Sequence, residues 1–369
     1  MLWIPGPTEV RPALLEELLR PMIGHRSPAM ISILERIDPG LRLAFGLAPE
    51  STCAVAVSTN SATAMMEAAL VGTGPRVLSV VNGAFSKRWR DIARTLRMDV
   101  ETLELPWGRA VSREELAQAL EERGPFDALT LVVNETSTGV LTPLAPIAAA
   151  LEEHASTMLL VDVVSCIAGA PIDVDRRRID FALAGVNKAL ALPPGISVVC
   201  ASQRYLERAR SRERQSWYLD PVRIVEGHRG RKTPTTPCIP LYAALARQLE
   251  DITSGATLPA SERGTTGAAA WSARFAKHER MKARTLAWAD THGLAPYPEP
   301  ELSSPTVSCL RAEGIDVAAL IAGLKQRGEE IGNGYGELKG KTFRIGHMGD
   351  HTEDGLEGLL AAADAVLAG

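Results

Sequence analysis

Lys188 lies between two short apolar segments of the sequence, residues 181–186 and 196–200, in the stretch DFALAGVNKALALPPGIS. Neither neighbour of this lysine is acidic, and a Pro-Pro-Gly turn precedes the second segment. A lysine amine in surroundings of low polarity is easily deprotonated and can form a Schiff base with an aldehyde. A lysine at the end of a strand can also simply extend its amine into water, so position alone leaves both interpretations open.

Polar residues also follow other apolar segments at the point where each segment ends. After residues 53–57 come Ser61, Ala62 and Thr63, which lead directly into a helical pattern, and residues 134–139 (NETSTG) form a dense polar turn. In a parallel sheet, ligands bind at the carboxyl ends of the strands. Small residues at a helix N-terminus offer N–H and hydroxyl groups to a phosphate, although the same residues serve plain N-capping.

Three further side chains occupy positions that are unusual for their type. Phe85 follows the apolar segment 77–81, where an aromatic ring either joins the core or stacks on a flat heterocycle. Asp162 lies inside the apolar segment 158–164, where a carboxylate needs a partner such as a cationic ring nitrogen. Arg344 lies in an apolar strand pattern, TFRIG, where it could bind a substrate carboxylate or form a structural ion pair.

Together these residues would supply a phosphate site, an aromatic ring, a buried carboxylate, a reactive amine and a guanidinium. That set is typical of pyridoxal 5'-phosphate chemistry on an amino acid. The cofactor aldehyde needs a lysine, its ring nitrogen needs an acid, and the amino acid needs a partner for its own carboxylate. The sequence therefore predicts a pyridoxal-phosphate enzyme.

The elements that must position these side chains follow an alternating pattern. Apolar, strand-like segments recur at residues 53–57, 77–81, 100–105, 129–133, 158–164, 181–186 and 196–200, with amphipathic helical patterns between several of them. Such alternation predicts an α/β fold with a mostly parallel, seven-stranded sheet that is covered on both faces. Residues 306–369 carry a mixed pattern of strands and helices, which predicts a smaller α+β unit.

The length of 369 residues favours about two domains. We expect an N-terminal arm at residues 1–15, a large domain at 16–255 and a small C-terminal domain at 256–369. Residues 202–241 are charged and contain a basic cluster, residues 223–232. This run is interpreted as a solvated loop, with contact to a neighbouring subunit as the alternative.

Composition excludes several classes of protein. Hydrophobic residues make up 46% of the chain and the net charge is -4, so the sequence lacks the basic character of a nucleic-acid-binding protein. The five cysteines are widely spaced and indicate reduced core residues of a cytoplasmic protein, not disulfides or metal ligands. The first residues do not form a signal peptide, and no apolar stretch is long enough to predict a membrane span.

With these residues in view, the sequence resembles the class V aminotransferases of the alanine–glyoxylate, serine–glyoxylate and serine–pyruvate type. The resemblance extends over nearly the whole chain and rests on the motifs PGPTEV, GHRS, NSATAMMEAAL, VNGAFSKRW, NETSTGV, VDVVS, NKALALPPG, TPTTP and FRIGHMG. It implies the pyridoxal-phosphate-dependent transferase fold of type I and a homodimer with active sites at the subunit interface.

The resemblance also implies a role for each residue around the cofactor ring. Lys188 would bind the cofactor covalently, and Asp162 would pair with the protonated ring nitrogen. Phe85 and Val164 would pack on opposite faces of the ring, while Thr136 would bond its hydroxyl group. The phosphate would be held by Ser61, Ala62, Thr63 and Asn187, and by Thr233 and Thr236 of the other subunit.

For the substrate, the resemblance implies that Arg344 binds the α-carboxylate and that Gly6 lines the same pocket. Arg26, in the GHRS motif, would meet a second anion. We expect a small amino acid, alanine or serine, as amino donor and glyoxylate or pyruvate as acceptor, with ping-pong kinetics. The alternatives are an aminotransferase for a phosphonate, phosphoserine or ureidoglycine substrate, and a lyase of the same fold.

Overall fold

The computed structural model describes residues 1–213 and 215–368. Its strands are β1 (Leu2–Trp3), β2 (Ala54–Ser58), β3 (Arg76–Val81), β4 (Asp99–Glu104), β5 (Ala128–Val132), β6 (Asn134–Glu135), β7 (Val140–Leu141), β8 (Met158–Asp162), β9 (Phe181–Gly185), β10 (Ser197–Ala201), β11 (Ser308–Arg311), β12 (Glu330–Asn333) and β13 (Thr342–Ile345). Its helices are α1 (Pro12–Glu17), α2 (Pro28–Ala44), α3 (Ala62–Val71), α4 (Ala84–Thr95), α5 (Arg113–Arg123), α6 (Leu144–Ala150), α7 (Gln203–Arg210), α8 (Pro221–Arg229), α9 (Ile239–Thr253), α10 (Gly267–Thr291), α11 (Val317–Gln326) and α12 (Glu353–Leu367).

The main sheet has seven strands in the order β2-β10-β9-β8-β5-β3-β4, which confirms the predicted number. Strand β10 runs antiparallel to both of its neighbours, and the other pairs are parallel. Val132 at the end of β5 lies opposite Asp162 at the end of β8, and Asp162 lies opposite Leu183 of β9. The register therefore brings the carboxyl ends of three central strands together around Asp162.

Helices cover both faces of this sheet, as the apolar strands predict. On one face, Leu34 and Leu41 of α2 and Leu249 of α9 belong to a buried apolar cluster with the sheet. On the other face, Met66 of α3 and Trp89 of α4 belong to a second buried cluster. Every strand except the edge strand β4 thus buries most of both faces, so the sheet gives rigid support to the loops at its carboxyl end.

A second sheet has four strands in the order β1-β12-β13-β11. Its outer strand comes from the start of the chain, because Leu2 pairs with Glu330 and Trp3 pairs with Ile331 in parallel. The N-terminal segment therefore completes a sheet whose other strands belong to the C-terminal third. The domain limits near residues 15 and 255 stay a prediction.

The interpretation of residues 202–241 as a solvated loop is wrong, because this run contains helices α7 and α8. Ser202 caps α7 by accepting a hydrogen bond from the Tyr205 N–H. Asp220 caps α8, and Pro221 occupies the first turn, where proline is favoured. Most charged residues of both helices face outward, and the opposite face is buried and includes Val225. The charged residues made this buried face hard to recognise in the sequence.

Within the described ranges, none of the helices combines the length and the apolar character that a bilayer crossing requires.

Candidate active site

A cavity of about 180 Å³ lies where the carboxyl ends of β5, β8 and β9 approach the N-terminal ends of α3 and α4. It brings together nine of the residues that the sequence analysis selected. These are Ser61, Ala62, Thr63, Phe85, Thr136, Asp162, Val164, Asn187 and Lys188. Four further residues complete its lining, namely Met66, Arg88, Val132 and Asn134.

A larger cavity, of about 660 Å³, lies on another part of the molecule and includes Arg109, Glu114 and Glu299 in its lining. Size alone would favour that cavity as the functional site. We place the site in the smaller cavity because it combines a lysine with a buried carboxylate at the end of a parallel sheet, where ligands bind.

Lys188 follows strand β9 and is surrounded closely by protein, although part of its side chain is accessible from the cavity. Burial lowers the pKa of its amine to about 8, and the positive charge of Arg344 acts in the same direction. The Nζ atom donates a hydrogen bond to the Pro5 carbonyl. Because the amine is held inward, the structure does not match a lysine that extends into bulk water.

Asp162 is 4% exposed, and its Oδ1 accepts a hydrogen bond of 2.7 Å from the Val164 N–H. Burial raises the pKa of its carboxyl group to about 7, and the nearby charge of Glu135 adds to this rise. A cation placed against this carboxylate would favour its charged form. The protonated ring nitrogen of pyridoxal phosphate is such a cation, so the residue fits the predicted partner.

The N-terminus of α3 fits a phosphate group. Ser61 is its N-cap residue, yet its side chain makes no capping hydrogen bond with any described residue, so plain N-capping does not explain it. The preceding loop is fixed from outside, because Tyr218 donates to the Thr59 carbonyl at 2.7 Å and the Cys238 N–H donates to Thr59 Oγ1 at 3.0 Å. A fixed loop with N–H groups at a helix start is a suitable anion site.

Phe85 lies in the first turn of α4, and the buried carboxylate of Glu135 fixes that turn. Glu135 Oε2 accepts hydrogen bonds from the Phe85 N–H at 3.1 Å and from the Ser86 N–H at 2.9 Å. The Phe85 ring stacks on Tyr335, with centroids 5.5 Å apart and planes 25° apart. The ring is half-buried at the cavity wall and also packs against a buried apolar cluster, so it lies at the edge of the core and contributes to the cavity lining.

Asn134 lies at the start of the NETSTG turn, and only the nitrogen of its side-chain amide has hydrogen-bond partners. Its Nδ2 donates to the Ser165 carbonyl at 3.0 Å and to Thr306 Oγ1 at 3.1 Å. Its Oδ1 is buried and has no hydrogen-bond partner in the described part of the chain. Because Asn134 lines the cavity, this oxygen is an acceptor for a donor group on a bound molecule. The hydroxyl of Thr136, also in the lining, is bonded to that of Ser165.

Arg344 lies beside the cavity on strand β13 and is 9% exposed. Its Nε donates to the Asn333 carbonyl at 2.9 Å, and its Nη1 donates to the Thr136 carbonyl at 3.2 Å. It forms no ion pair with a carboxylate among the residues described, so the structural ion pair is not observed. Two backbone carbonyls orient the guanidinium and leave other N–H groups for a substrate.

Five predicted residues are not part of the cavity lining of the single chain. Arg344 lies beside the cavity, and Gly6 lies against the side chain of Lys188. Arg26 and Thr236 are exposed, and Thr233 has a buried hydroxyl without a hydrogen-bond partner among the described residues. Conversely, the analysis of the sequence missed Arg88 and Tyr335. Arg88 belongs to the VNGAFSKRW motif and was within reach of that analysis, whereas Tyr335 lies in a loop without a comparable pattern.

The class-V aminotransferase family model matches residues 44–279 of the chain. An L-aspartate–glyoxylate aminotransferase from Paracoccus denitrificans is 30% identical over 377 residues, which cover 100% of this chain and 91% of the relative. A serine–glyoxylate aminotransferase from Methylorubrum extorquens is 30% identical over 380 residues, which cover 99% of this chain and 90% of the relative. The crystal structure of an alanine–glyoxylate aminotransferase from Nostoc sp. is 31% identical, with a TM-score of 0.87 and coverage of 99% of this chain and 94% of that one. The chain belongs to the class-V aminotransferase family, and it is a transaminase.

Proposed function

We propose that the protein uses pyridoxal 5'-phosphate to transfer an amino group from a small amino acid, alanine or serine, to glyoxylate or pyruvate. The observation that carries the proposal is the position of Lys188 and Asp162 in one cavity with Arg344 beside it. The names of the relatives from Methylorubrum extorquens and Nostoc sp. support serine or alanine as donor and glyoxylate as acceptor.

In this proposal, Lys188 binds the cofactor covalently and Asp162 pairs with its ring nitrogen. Phe85 and Val164 contact the ring, Thr136 bonds its hydroxyl group, and the start of α3 with Asn187 holds the phosphate. When bound, the cofactor carries the amino group and withdraws electrons from the substrate Cα atom. The protein's task is to hold these groups in register and to move protons.

Arg344 binds the α-carboxylate of the amino acid through the guanidinium N–H groups that its two backbone acceptors leave free. Once the amino donor has replaced the lysine on the cofactor, the free Nζ atom of Lys188 would remove the proton from the substrate Cα and return a proton later. A pKa of about 8 suits this exchange, because the amine and ammonium forms are both populated near neutral pH. Gly6 lies against the lysine and, because it has no side chain, leaves room for that of Lys188.

The proposal includes a homodimer in which Thr233 and Thr236 of one subunit reach the phosphate site of the other. Its support is the exposed apolar surface near α1 and in the segment before α8. Leu19 is 84% exposed, Met22 is 69% exposed and Trp217 is 59% exposed. Side chains of this kind are expected to be buried in an interface. Arg26 would join a substrate anion in the same assembled site.

Subunit mixing tests the shared site. Lys188→Ala and Thr233→Ala/Thr236→Ala variants would each be weakly active, but their mixed dimers would contain one intact site and regain activity. Mixing either variant with more of itself is the control. If the activity of the mixture after subunit exchange only equals the sum of the two variants' activities, residues of one subunit do not contribute to the site of the other.

We also propose a cytoplasmic location. All five cysteines are free, and Cys166, Cys200 and Cys309 are buried. Buried thiols without disulfides suit a reducing compartment. Fractionation of source cells with an antibody against the protein tests this location.

Borohydride reduction tests the chemistry directly. The protein supplied with pyridoxal phosphate is reduced, digested and analysed by mass spectrometry, and we expect the label on the peptide containing Lys188. Lys277 is an internal control, because it is also buried, with a pKa lowered to about 7, but donates to the carbonyls of Gly349 and His351 outside this cavity. A label on Lys277 in place of Lys188 would contradict the site. A panel of amino acids, followed by the cofactor spectrum, then identifies the donor.

A further inference from the structure

Arg88 lines the same cavity from the second turn of α4, one helical turn after Phe85. Its guanidinium lies over the Phe85 ring at 4.8 Å from the centroid. Its Nη1 is 3.5 Å from Thr63 Oγ1, and its Nη2 is 3.4 Å from the Tyr335 hydroxyl. Both distances are at the long limit for hydrogen bonds, so neither contact uses the full strength of the group.

The charge of Arg88 has no direct ion-pair partner among the described residues, although it acts through space on the buried carboxyl group of Asp162 and partly offsets the rise in the pKa of that group. It forms no ion pair with a carboxylate anywhere in residues 1–213 or 215–368. Arg90, two residues further along α4, pairs with Asp91 at 2.9 Å and approaches Glu104 at 3.8 Å. A guanidinium has five N–H donors, and two long contacts leave most of them free. Arg88 is therefore held in place by neutral groups while its charge faces the cavity.

We propose that Arg88 supplies the positive charge that binds the phosphate of pyridoxal phosphate, an inference that rests on the proposed function for the identity of the cofactor. The residues predicted to hold the phosphate carry no charge; they are Ser61, Ala62, Thr63 and Asn187, with Thr233 and Thr236 of the other subunit. A helix N-terminus offers only about half an elementary charge, whereas the phosphate is close to a dianion. Arg88 contacts Thr63, in the first turn of α3, and is therefore the cation next to this site.

A second anion in an aminotransferase could also be the side-chain carboxylate of a dicarboxylic amino acid. The contact with Thr63 favours the phosphate, because it places the guanidinium at the start of α3. The two anions are separable by experiment, since one belongs to the cofactor and the other to the substrate.

The test compares two ligands that share a ring and an aldehyde but differ in the phosphate. Apo-protein is titrated with pyridoxal phosphate and with pyridoxal, and the dissociation constants are measured from absorbance. For Arg88→Gln we expect about tenfold or greater weakening for pyridoxal phosphate and less than about twofold for pyridoxal. Lys87→Gln is the matched control, because it removes a charge from an exposed position on the same helix, and both constants should stay unchanged.

Arg88→Lys keeps the positive charge, so it should recover part of the preference for the phosphorylated ligand. This variant also serves as the test if Arg88→Gln does not fold. Equal weakening for both ligands would show that Arg88 merely supports the fold or the Phe85 ring, and would overturn the proposal. Unchanged constants with a raised KM for aspartate, but not for alanine, would instead assign the residue to a substrate carboxylate. The comparison needs no turnover, so a wild-type protein that binds the cofactor but does not transaminate would refute the proposed function alone.

Discussion

Gly6 lies directly against the side chain of Lys188. A Cβ atom at position 6 would be 2.5 Å from Lys188 Cδ and 2.7 Å from Nζ, and Gly6 has a φ of +110°. The preceding residue, Pro5, accepts the hydrogen bond from the lysine amine. The N-terminal segment therefore forms one wall around the reactive amine, and a side chain at position 6 would force the lysine or this wall to shift.

The first prediction concerns Gly6→Ala. The new methyl group would displace Lys188 or the N-terminal segment, and the left-handed backbone adds strain of about 1–3 kcal/mol. We expect the rate of borohydride-trapped labelling of Lys188 to fall at least about tenfold. Gly24→Ala is the control, because its Cβ would meet only Ser27 Cβ, at an ordinary 3.7 Å. Equal labelling of Gly6→Ala and wild type would show that the contact does not constrain the lysine.

The second prediction concerns pH. The pKa of Lys188 is lowered to about 8, so the free amine predominates above that pH and capture of pyridoxal phosphate by the apo-protein should accelerate as the pH rises through it. Arg344→Gln removes a positive charge that lowers this pKa, so the midpoint of the rate profile should move to higher pH. Arg36→Gln, which removes a surface arginine paired with Glu250, should leave the midpoint in place. A shift to lower pH in Arg344→Gln would contradict the electrostatic account.

The third prediction separates substrate binding from cofactor binding. Arg344→Ala should raise the KM for the amino donor by about 10- to 100-fold, since a hydrogen bond to a charged group contributes about 1.5–3 kcal/mol. The dissociation constant of pyridoxal phosphate should change far less. Steady-state kinetics and a cofactor titration on the same preparation measure both quantities. Comparable losses in the two would place Arg344 at the cofactor and not at the substrate.

The fourth prediction concerns the ion pairs behind the lysine segment. Asp350 Oδ1 accepts from Arg274 Nη1 at 2.9 Å, and its Oδ2 accepts from Arg11 Nε at 2.5 Å. Arg274 is fully buried and also donates to the Ala189 carbonyl at 2.7 Å. Asp350→Asn leaves that guanidinium without its counter-charge and should lower the free energy of unfolding by about 3–5 kcal/mol.

Urea denaturation measures this loss, with the exposed Asp290→Asn as the control. The ion pairs of Asp350 also predict how the free energy of unfolding depends on acid pH. Its arginine partners lower the pKa of Asp350 to about 2, below the value of about 4 in an unfolded chain. Its contribution to stability is therefore complete above about pH 4 and is lost as the pH falls through about 2. An Asp350→Asn variant with the acid sensitivity of wild type would contradict this assignment.

The sequence was sufficient to predict the seven-stranded sheet and to select Lys188 and Asp162, which the structure places in one cavity, while their roles stay a prediction. Each of these residues interrupts or follows an apolar segment, and a charge in such a place needs a specific reason. The seven segments also alternate with amphipathic helices, which restricts the topology to a mostly parallel sheet. The local pattern showed where these side chains lie, because they occupy or follow the ends of the strands that make the pattern. Their chemistry was inferred only from the whole set of residues together.

Contacts between distant parts of the chain were beyond prediction from local pattern. The free amide oxygen of Asn134 depends on Ser165 and Thr306, which are 31 and 172 residues away. Tyr335 reaches Phe85 only because β12 and β13 place its loop there. Helices α7 and α8 were missed because both are short and their exposed faces are strongly charged, although α8 buries five of its nine residues.

The pairing of β1 with β12 has a consequence for how the surroundings of the reactive amine are assembled. Residues 2 and 3 find their partners at positions 330 and 331, so the N-terminal segment takes its place only when the second sheet is formed. The Pro5 carbonyl, which accepts the hydrogen bond from Lys188, follows directly after this segment. Enclosure of the amine therefore requires the folding of a sheet that does not contain the lysine.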